Sequence, residues 1–297
     1  MLCPAKINLG LRVLYKRPDG YHEIQSVFLR ISWGDDIRIE PVDNKKLEMV
    51  SKNELIEGKR ALYDDVSENG DIRKNILYKT YELSRELSSE LPGARIYITK
   101  RIPPGGGLGG GSSNAAMLLS FLFFNTRFFM SDDLMSLATK IGADVPFFLQ
   151  DGHAFVSGSG EKLSEIAVSR GQGILAIPPY SIGTKEAYAN LKKPLQGDPD
   201  SKKWNLLTKE SISALKIGDW KNLSGSFKND FEDYVFRVIP RLELIKKSFL
   251  AYGASFASMT GSGSCIYGLT DGLEIHDEIF DRMKREFPDC NFVRFNF

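Results

Sequence analysis

Between residues 101 and 119 the chain reads RIPPGGGLGGGSSNAAMLL, and six of the seven positions from Gly105 to Gly111 are glycine. The alternating segment ARIYITKRI before them predicts a strand, and the spacing of Ala115, Ala116, Leu118, Leu119 and Leu122 after them predicts a helix. Glycines at a strand-to-helix junction permit positive φ and let another group approach the backbone, while the helix start offers unpaired N–H groups and a partial positive charge. That chemistry holds an anion, phosphate above all. Ser112, Ser113 and Asn114 supply N-cap or phosphate-binding side chains. The alternative is a Gly/Ser linker, but a linker rarely feeds directly into an apolar helix. Gly105, Gly107 and Gly110 also satisfy G-x-G-x-x-G. A run this rich in glycine matches many such patterns by chance, and no second strand ending in an acid follows about 20 residues on. No lysine follows the glycines, so a Walker loop is excluded too. What remains is a phosphate cradle of another type.

Four other stretches carry chemistry-bearing residues. In AKINLGLRVLY, Lys6 interrupts an apolar alternation and Asn8 shares its side, since strand side chains repeat every two residues. Lys6 is either a solvated lysine on an edge strand or half of a donor pair. In KIGADVPFFLQDG, Asp144 stands beside Val145, Pro146 and two phenylalanines, as a helix-end cap or as a carboxylate whose proton affinity its surroundings set. In SMTGSGSCIYGL, residues 258–269, glycine and hydroxyl residues again precede a strand, as a tight turn or as a second loop over a triphosphate. In DGYHE, residues 19–23, Tyr21 and His22 sit in a turn where a ring and an imidazole can hold a planar heterocycle. A surface histidine with no task is the other reading.

The elements that must position these residues are mixed. Strands are expected at 5–15, through 22–42, and at 153–157, 173–178, 264–270 and 292–296, and helices at 75–90, 112–125, 131–141, 209–227 and 239–252. Strands cluster early before helices appear, which is α+β rather than strict β-α alternation. KKPLQGDPDSKKWN, residues 192–205, reads as a mobile surface connection, and a weakly marked domain boundary falls near 157–172. The length of 297 residues and 42% hydrophobic content suit two domains with a substantial core. The net charge of +1, from 39 basic and 38 acidic residues, argues against bulk attraction to nucleic acid or an anionic membrane. Cys3, Cys265 and Cys290 are scattered and odd in number, with no C-x-x-C, which excludes a disulfide framework and a zinc site and suits reducing cytosol. MLLSFLFFNTRFFM is broken by Asn125, Thr126 and Arg127, so a buried helix is expected there rather than a membrane span.

PAKINLGLRVLYKRPDGYHEIQSVF at 4–28, PPGGGLGGGSSNAA at 103–116, GADVPFFL at 142–149 and MTGSGSC at 259–265 together resemble the GHMP-type small-molecule kinases, over nearly the whole chain. The RPDGYHE stretch resembles the branch of that family whose acceptor carries a cytidine diphosphate, on the non-mevalonate route to isoprenoid precursors. The resemblance implies two domains, an N-terminal ribosomal protein S5 domain 2-like part at 1–157 and a C-terminal ferredoxin-like part at 158–297. It implies transfer of the ATP γ-phosphoryl group to an acceptor hydroxyl with Mg2+ between the β- and γ-phosphates, Asp144 taking the hydroxyl proton and Lys6 orienting Asp144 and stabilising charge. Pro104, Gly105, Gly106, Gly107, Leu108, Gly109, Gly110, Gly111, Ser112 and Ser113 would hold the triphosphate, with Asn75 and Lys100 on the adenine side. Tyr21 and Tyr188 would enclose the cytosine while Asn8, His22 and Thr184 hydrogen-bond around it, the Thr184 and Tyr188 assignments resting on the match of SIGTKEAY to a family segment. The implied protein is cytoplasmic, a monomer or homodimer, and acts on a small molecule without nucleic acid or membrane. Two other readings stay open: a sibling kinase for homoserine, mevalonate or a sugar, and a non-catalytic nucleotide- or RNA-binding protein.

Overall fold

The computed structural model describes residues 1–54, 74–191 and 205–297. The connection expected at 192–205 lies outside the described residues except for Asn205. The chain forms two compact units that interleave in sequence: Met1–Ala5, Gly34–Pro104 and Gly109–Asp151 make the first, and Lys6–Trp33, Gly105–Leu108 and Gly152–Phe297 make the second. Strands β1 (Leu2–Lys16) and β2 (His22–Val42) are long enough to serve both.

In the first unit the C-terminal half of β2 pairs antiparallel with β4 (Gly93–Lys100), and β3 (Leu47–Asn53) pairs parallel with β4. Ile96 and Ile98 of β4 are buried while Arg95 and Tyr97, which alternate with them, are not, which is the period of a half-covered strand. The helices are α1 (Ile76–Leu87), α2 (Gly110–Phe123), α3 (Asp132–Ile141) and the single turn α4 (Val145–Leu149). Helix α2 packs against α1 and α4, and its Leu118, Leu119, Leu122 and Phe123 are buried. Helix α3 begins where Ser131 Oγ accepts from Leu134 N at 3.2 Å, has Asp132 and Asp133 in its first turn and Lys140 in its last, and so agrees with its own dipole.

In the second unit β5 (Ala154–Gly158) pairs antiparallel with the start of β2 and with β6 (Lys162–Glu165). Strands β7 (Gln172–Ile177), β8 (Phe256–Met259), β9 (Ile266–Thr270) and β10 (Asn291–Asn296) form an antiparallel sheet in the order β10-β7-β9-β8. The helices between β7 and β8 are α5 (Thr184–Ala189), α6 (Lys209–Ile217), α7 (Trp220–Leu223), α8 (Glu232–Val238) and α9 (Pro240–Ala251), and α10 (Leu273–Glu286) joins β9 to β10. Helices α9 and α10 pack on this sheet, burying Ile245, Phe249, Ile279 and Met283 against Ile174 and Ile266. Helical chain between the first two strands and again between the last two gives the split β-α-β arrangement of ferredoxin-like domains.

The expected helix at 209–227 is instead two short ones. Gly218 takes φ +75° and ends α6 in a left-handed cap, and Asp219 then caps α7 through Asn222 N at 3.3 Å.

Candidate active site

Lys6 and Asn8 share one face of β1, and both are buried. Lys6 is therefore not a solvated edge lysine. Its ammonium donates to Asn8 Oδ1 at 2.6 Å and lies 4.5 Å from the centre of the Phe28 ring, while its backbone N–H donates to Leu108 O at 3.0 Å. The lysine is thus joined to the first half of the glycine loop by main chain and to Asn8 by side chain. Asn8 Oδ1 also accepts from Gly261 N at 2.9 Å, its Nδ2 donates to Ser26 Oγ at 3.0 Å, and its backbone N–H donates to Thr260 Oγ1 at 3.1 Å. One buried amide therefore gathers the lysine and the turn of the third glycine cluster.

That turn meets the glycine loop backbone to backbone. Thr260 Oγ1 donates to Gly107 O at 3.1 Å, and a Cβ on Gly107 would stand 2.1 Å from Thr260 O. A Cβ on Gly261 would stand 2.8 Å from Gly107 Cα. Two glycines are required here because the backbone of each turn occupies the space a side chain on the other would need. Thr260 is a residue that the sequence did not single out, although the TGSG pattern contained it.

In the first unit, α2 starts at Gly109, which has φ +71° and no side chain to cap the helix. Ser113 N donates to Gly109 O at 2.9 Å, which leaves the earlier amides of the turn without intrahelical partners, as at any helix start. Ser113 Oγ and Asn114 Oδ1 are both buried and have no hydrogen-bond partner. Buried orphan oxygens at a helix start whose first two residues, Gly110 and Gly111, carry no side chain suit a polar ligand. Behind this start lies an ion pair missed in the sequence. Asp35 of β2 is fully buried, and its Oδ1 accepts from Arg101 N at 2.7 Å and Ile102 N at 2.8 Å, while its Oδ2 accepts from Asn114 Nδ2 at 3.0 Å and from Lys100 Nζ. Lys100 is thus engaged with a carboxylate in the interior, and the cluster ties the end of β4 to α2. Asn75 is the N-cap of α1, its Oδ1 accepting from Leu77 N at 2.9 Å.

Asp144 stands at the N-cap position of α4, half-buried, and makes no capping hydrogen bond. It therefore occupies the helix-end position without bonding the helix's first amides. Burial first, and the charge of Asp35 second, push the Cys3 thiol up to about 12. Among the described residues no group of three or more His, Cys, Asp or Glu side chains is arranged to hold a metal ion, and no helix is long and apolar enough to cross a membrane.

The aromatic group lies in the second unit. The His22 ring stacks on Tyr188 of α5 with centroids 4.9 Å apart and planes 26° apart, and Tyr188 meets Phe231 edge-on at 4.8 Å. Tyr21 is 65% exposed, in a turn closed by Arg17 N donating to Tyr21 O at 2.8 Å and by Asp19 Oδ1 accepting from Tyr21 N at 3.0 Å. Thr184 Oγ1 lies 3.0 Å from Ser262 Oγ, so α5 is bonded to the same glycine turn that Asn8 holds. Lys6, Asn8, Gly105–Leu108, Thr184 and Tyr188 belong to the second unit with Tyr21 and His22. Asn75, Lys100, Pro104, Gly109–Ser113 and Asp144 belong to the first.

The profile of the GHMP kinases N terminal domain matches residues 75–152, and that of the GHMP kinases C terminal region matches 211–289. A 4-diphosphocytidyl-2-C-methyl-D-erythritol kinase of Leptospira interrogans is 57% identical over 297 residues, with all of both chains covered. A crystal structure of a 4-(cytidine 5'-diphospho)-2C-methyl-D-erythritol kinase superposes with a TM-score of 0.79 at 30% identity, covering 100% of this chain and 98% of that one. A homoserine kinase from Cytophaga hutchinsonii shares the fold at a TM-score of 0.65 and 20% identity, over 99% of this chain and 93% of its own.

Proposed function

Because the chain belongs to the 4-diphosphocytidyl-2-C-methyl-D-erythritol kinases of the GHMP kinase family, we propose that it transfers the γ-phosphoryl group of ATP to the 2-hydroxyl of 4-diphosphocytidyl-2-C-methyl-D-erythritol. The reaction serves the non-mevalonate route to isoprenoid precursors. The observation that carries the choice of acceptor is the whole-length identity of 57% to a kinase of that name. The Tyr21–His22 turn beside Tyr188 supports it, because a flat heterocycle is bound by rings that can stack and by an imidazole that can hydrogen-bond.

Phosphoryl transfer asks a protein for positioning and charge stabilisation more than for covalent chemistry. The backbone amides of residues 105–111 and the Ser112 and Ser113 hydroxyls hold the triphosphate, and the partnerless Ser113 Oγ is the atom whose burial most needs such a ligand. Mg2+, when bound, neutralises charge on the β- and γ-phosphates. The buried Ser113 hydroxyl, which has no hydrogen-bond partner, would be a protein donor to such an ion. Asp144 accepts the proton of the attacking hydroxyl, and Lys6 steadies the charge that develops. Asn75 and Lys100 serve the adenine side, the former by starting α1 and the latter through Asp35. Tyr21 and Tyr188 enclose the cytosine, with Asn8, His22 and Thr184 around it. Two family domains are inferred, at 1–157 and 158–297, with one family match falling on each side of that division while the compact units interleave across it. The protein works in the cytoplasm as a monomer or homodimer on small molecules, without nucleic acid.

The test is a coupled ADP-release assay with ATP and magnesium, offering the cytidyl acceptor beside homoserine, mevalonate and galactose. Turnover of the cytidyl compound alone is expected. Turnover of another acceptor in its place would keep the kinase and remove the cytosine pocket, and ATP binding with no turnover of any acceptor would remove the kinase.

A further inference from the structure

The segment from Lys228 to Glu232 has no part in the chemistry above, yet it is bonded to several pieces of it. Its backbone lies along β1: Leu11 N donates to Lys228 O at 2.9 Å and Asp230 N donates to Leu11 O at 2.9 Å. The Asp230 carboxylate accepts from Val13 N at 2.9 Å and pairs with Arg12 Nε at 3.2 Å. Glu232 Oε1 accepts from Met259 N at 2.9 Å, which ties the segment to the end of β8. Between them stands Asn229, 3% exposed. Its Oδ1 accepts from Phe231 N at 3.0 Å, and its Nδ2 donates to Met259 O at 2.7 Å and to Gly261 O at 2.8 Å. One orientation of the amide satisfies all three bonds, because its acceptor end faces an N–H and its donor end faces two carbonyls. Aspartate has no hydrogen to donate there, and leucine has neither function.

The two carbonyls belong to the turn that carries the lysine on its other side. Gly261 N donates to Asn8 Oδ1, the atom that also receives Lys6 Nζ, and Thr260 Oγ1 bonds Gly107 O. Gly261 and Gly263 both have positive φ and no side chain, so beside the Ser262–Thr184 contact this part of the turn is braced by bonds to its main chain. We propose that Asn229 is a positioning residue for phosphoryl transfer. By holding Met259 O and Gly261 O it sets the turn from which Asn8, Lys6 and Gly107 take their places. The inference rests on Lys6 and the glycine loop being the reacting apparatus of the kinase.

The experiment compares Asn229→Ala and Asn229→Ser in the native chain and in a Lys6→Met background. It reads kcat, both KM values, Tm and hydrogen-exchange protection of the Gly261 amide. Asn229→Ala is expected to lower kcat about 10- to 100-fold, the cost of misplacing reacting groups by about an ångström, with the acceptor KM moved less than about 3-fold. The Gly261 amide loses protection in parallel. In the Lys6→Met background the same substitution is expected to lower kcat by less than about 3-fold, because residues that act through one another are not additive. Asn229→Ser retains one donor, should fall between the native protein and Asn229→Ala, and carries the same comparison if the alanine variant does not fold. An equal factor in both backgrounds would show that Asn229 acts independently of Lys6 and would overturn the proposal. Should the native protein turn over no acceptor, or Lys6→Met leave kcat unchanged, the assignment of the reacting groups fails, and the exchange data judge Asn229 separately. Unchanged protection of the Gly261 amide would overturn it, and lost protection would sustain its hold on the turn.

Discussion

Alanine at position 107 would place a Cβ 2.1 Å from Thr260 O, on a residue already held at φ +75°. Two costs follow, and a second variant separates them. An L-residue in the left-handed region loses about 1–2 kcal/mol. Carbon and oxygen meet comfortably near ~3.3 Å, so the two turns must also separate by roughly an ångström, and such overpacking costs about 1–3 kcal/mol. Gly105→Ala has the same kind of backbone, at φ +67°, but its nearest heavy atom is Ser181 Oγ at 3.4 Å, so it incurs the first cost and little of the second. Without nucleotide, Gly107→Ala should therefore melt below Gly105→Ala by about 2–12 °C, at ~2–4 °C per kcal/mol for a chain of this order of size. The separation also draws Thr260 away from Gly107 O, and with it the bonds that Thr260 and Gly261 make to the Asn8 amide beside Lys6. In the coupled ADP-release assay kcat/KM for ATP should then fall by about 100-fold, the scale of an ångström's misplacement. If Gly107→Ala matched Gly105→Ala in Tm and stayed within about 3-fold of the native protein in turnover, direct packing of the two glycine turns could not be what places the site.

Asp144→Asn should lower kcat by about 100- to 10,000-fold, the range of general-base catalysis, while calorimetric ATP binding persists; near-native turnover in a folded variant would remove Asp144 from that role. Tyr188→Ala should raise the KM of the cytidyl acceptor about 10-fold or more and leave that of ATP in place, since ring stacking on a base contributes about 1–3 kcal/mol; an equal rise in both would put the ring elsewhere. Lys100→Met strands a buried carboxylate on Asp35 and should cost about 3–5 kcal/mol of stability, visible as a large drop in Tm. A raised KM for ATP with an unchanged Tm would instead make Lys100 a direct adenine ligand. Burial, with the charge of Arg30 second, holds His153 below the ordinary imidazole value of 6.5, and burial with Arg294 does the same for His276. Below about pH 6.5 the unfolded chain binds more protons at these positions than the folded one, so their contribution is complete above that pH and lost as pH falls. Tm should decline between about pH 7 and 5, and His153→Gln should flatten the decline; an unaltered slope would assign the acid limb to other groups.

What the sequence by itself determined is local. The glycine run declared a strand-to-helix junction because positive φ and the missing Cβ are properties of single residues, and Gly105, Gly107 and Gly109 take positive φ in the structure. Elements such as α3 and α9 were legible because apolar spacing needs only a few turns of chain to display a face. The same signal misled across Gly218, where one left-handed residue broke a helix that periodicity alone would have continued. It passed over α10, whose buried stripe of His276, Ile279 and Met283 is narrow within a charged segment.

Tertiary structure alone decided which faces were covered and which distant groups met. Alternation put Lys6 and Asn8 on one side of β1, but whether that side faced solvent or the interior depended on Phe28, Leu108 and Thr260, which lie far along the chain. The Asp35 cluster draws on Lys100, Arg101, Ile102 and Asn114, and Asn229 finds its acceptors 30 and 32 residues away. Burial of a polar group is tolerable only when partners satisfy it, and those partners come from the fold rather than from the neighbouring sequence.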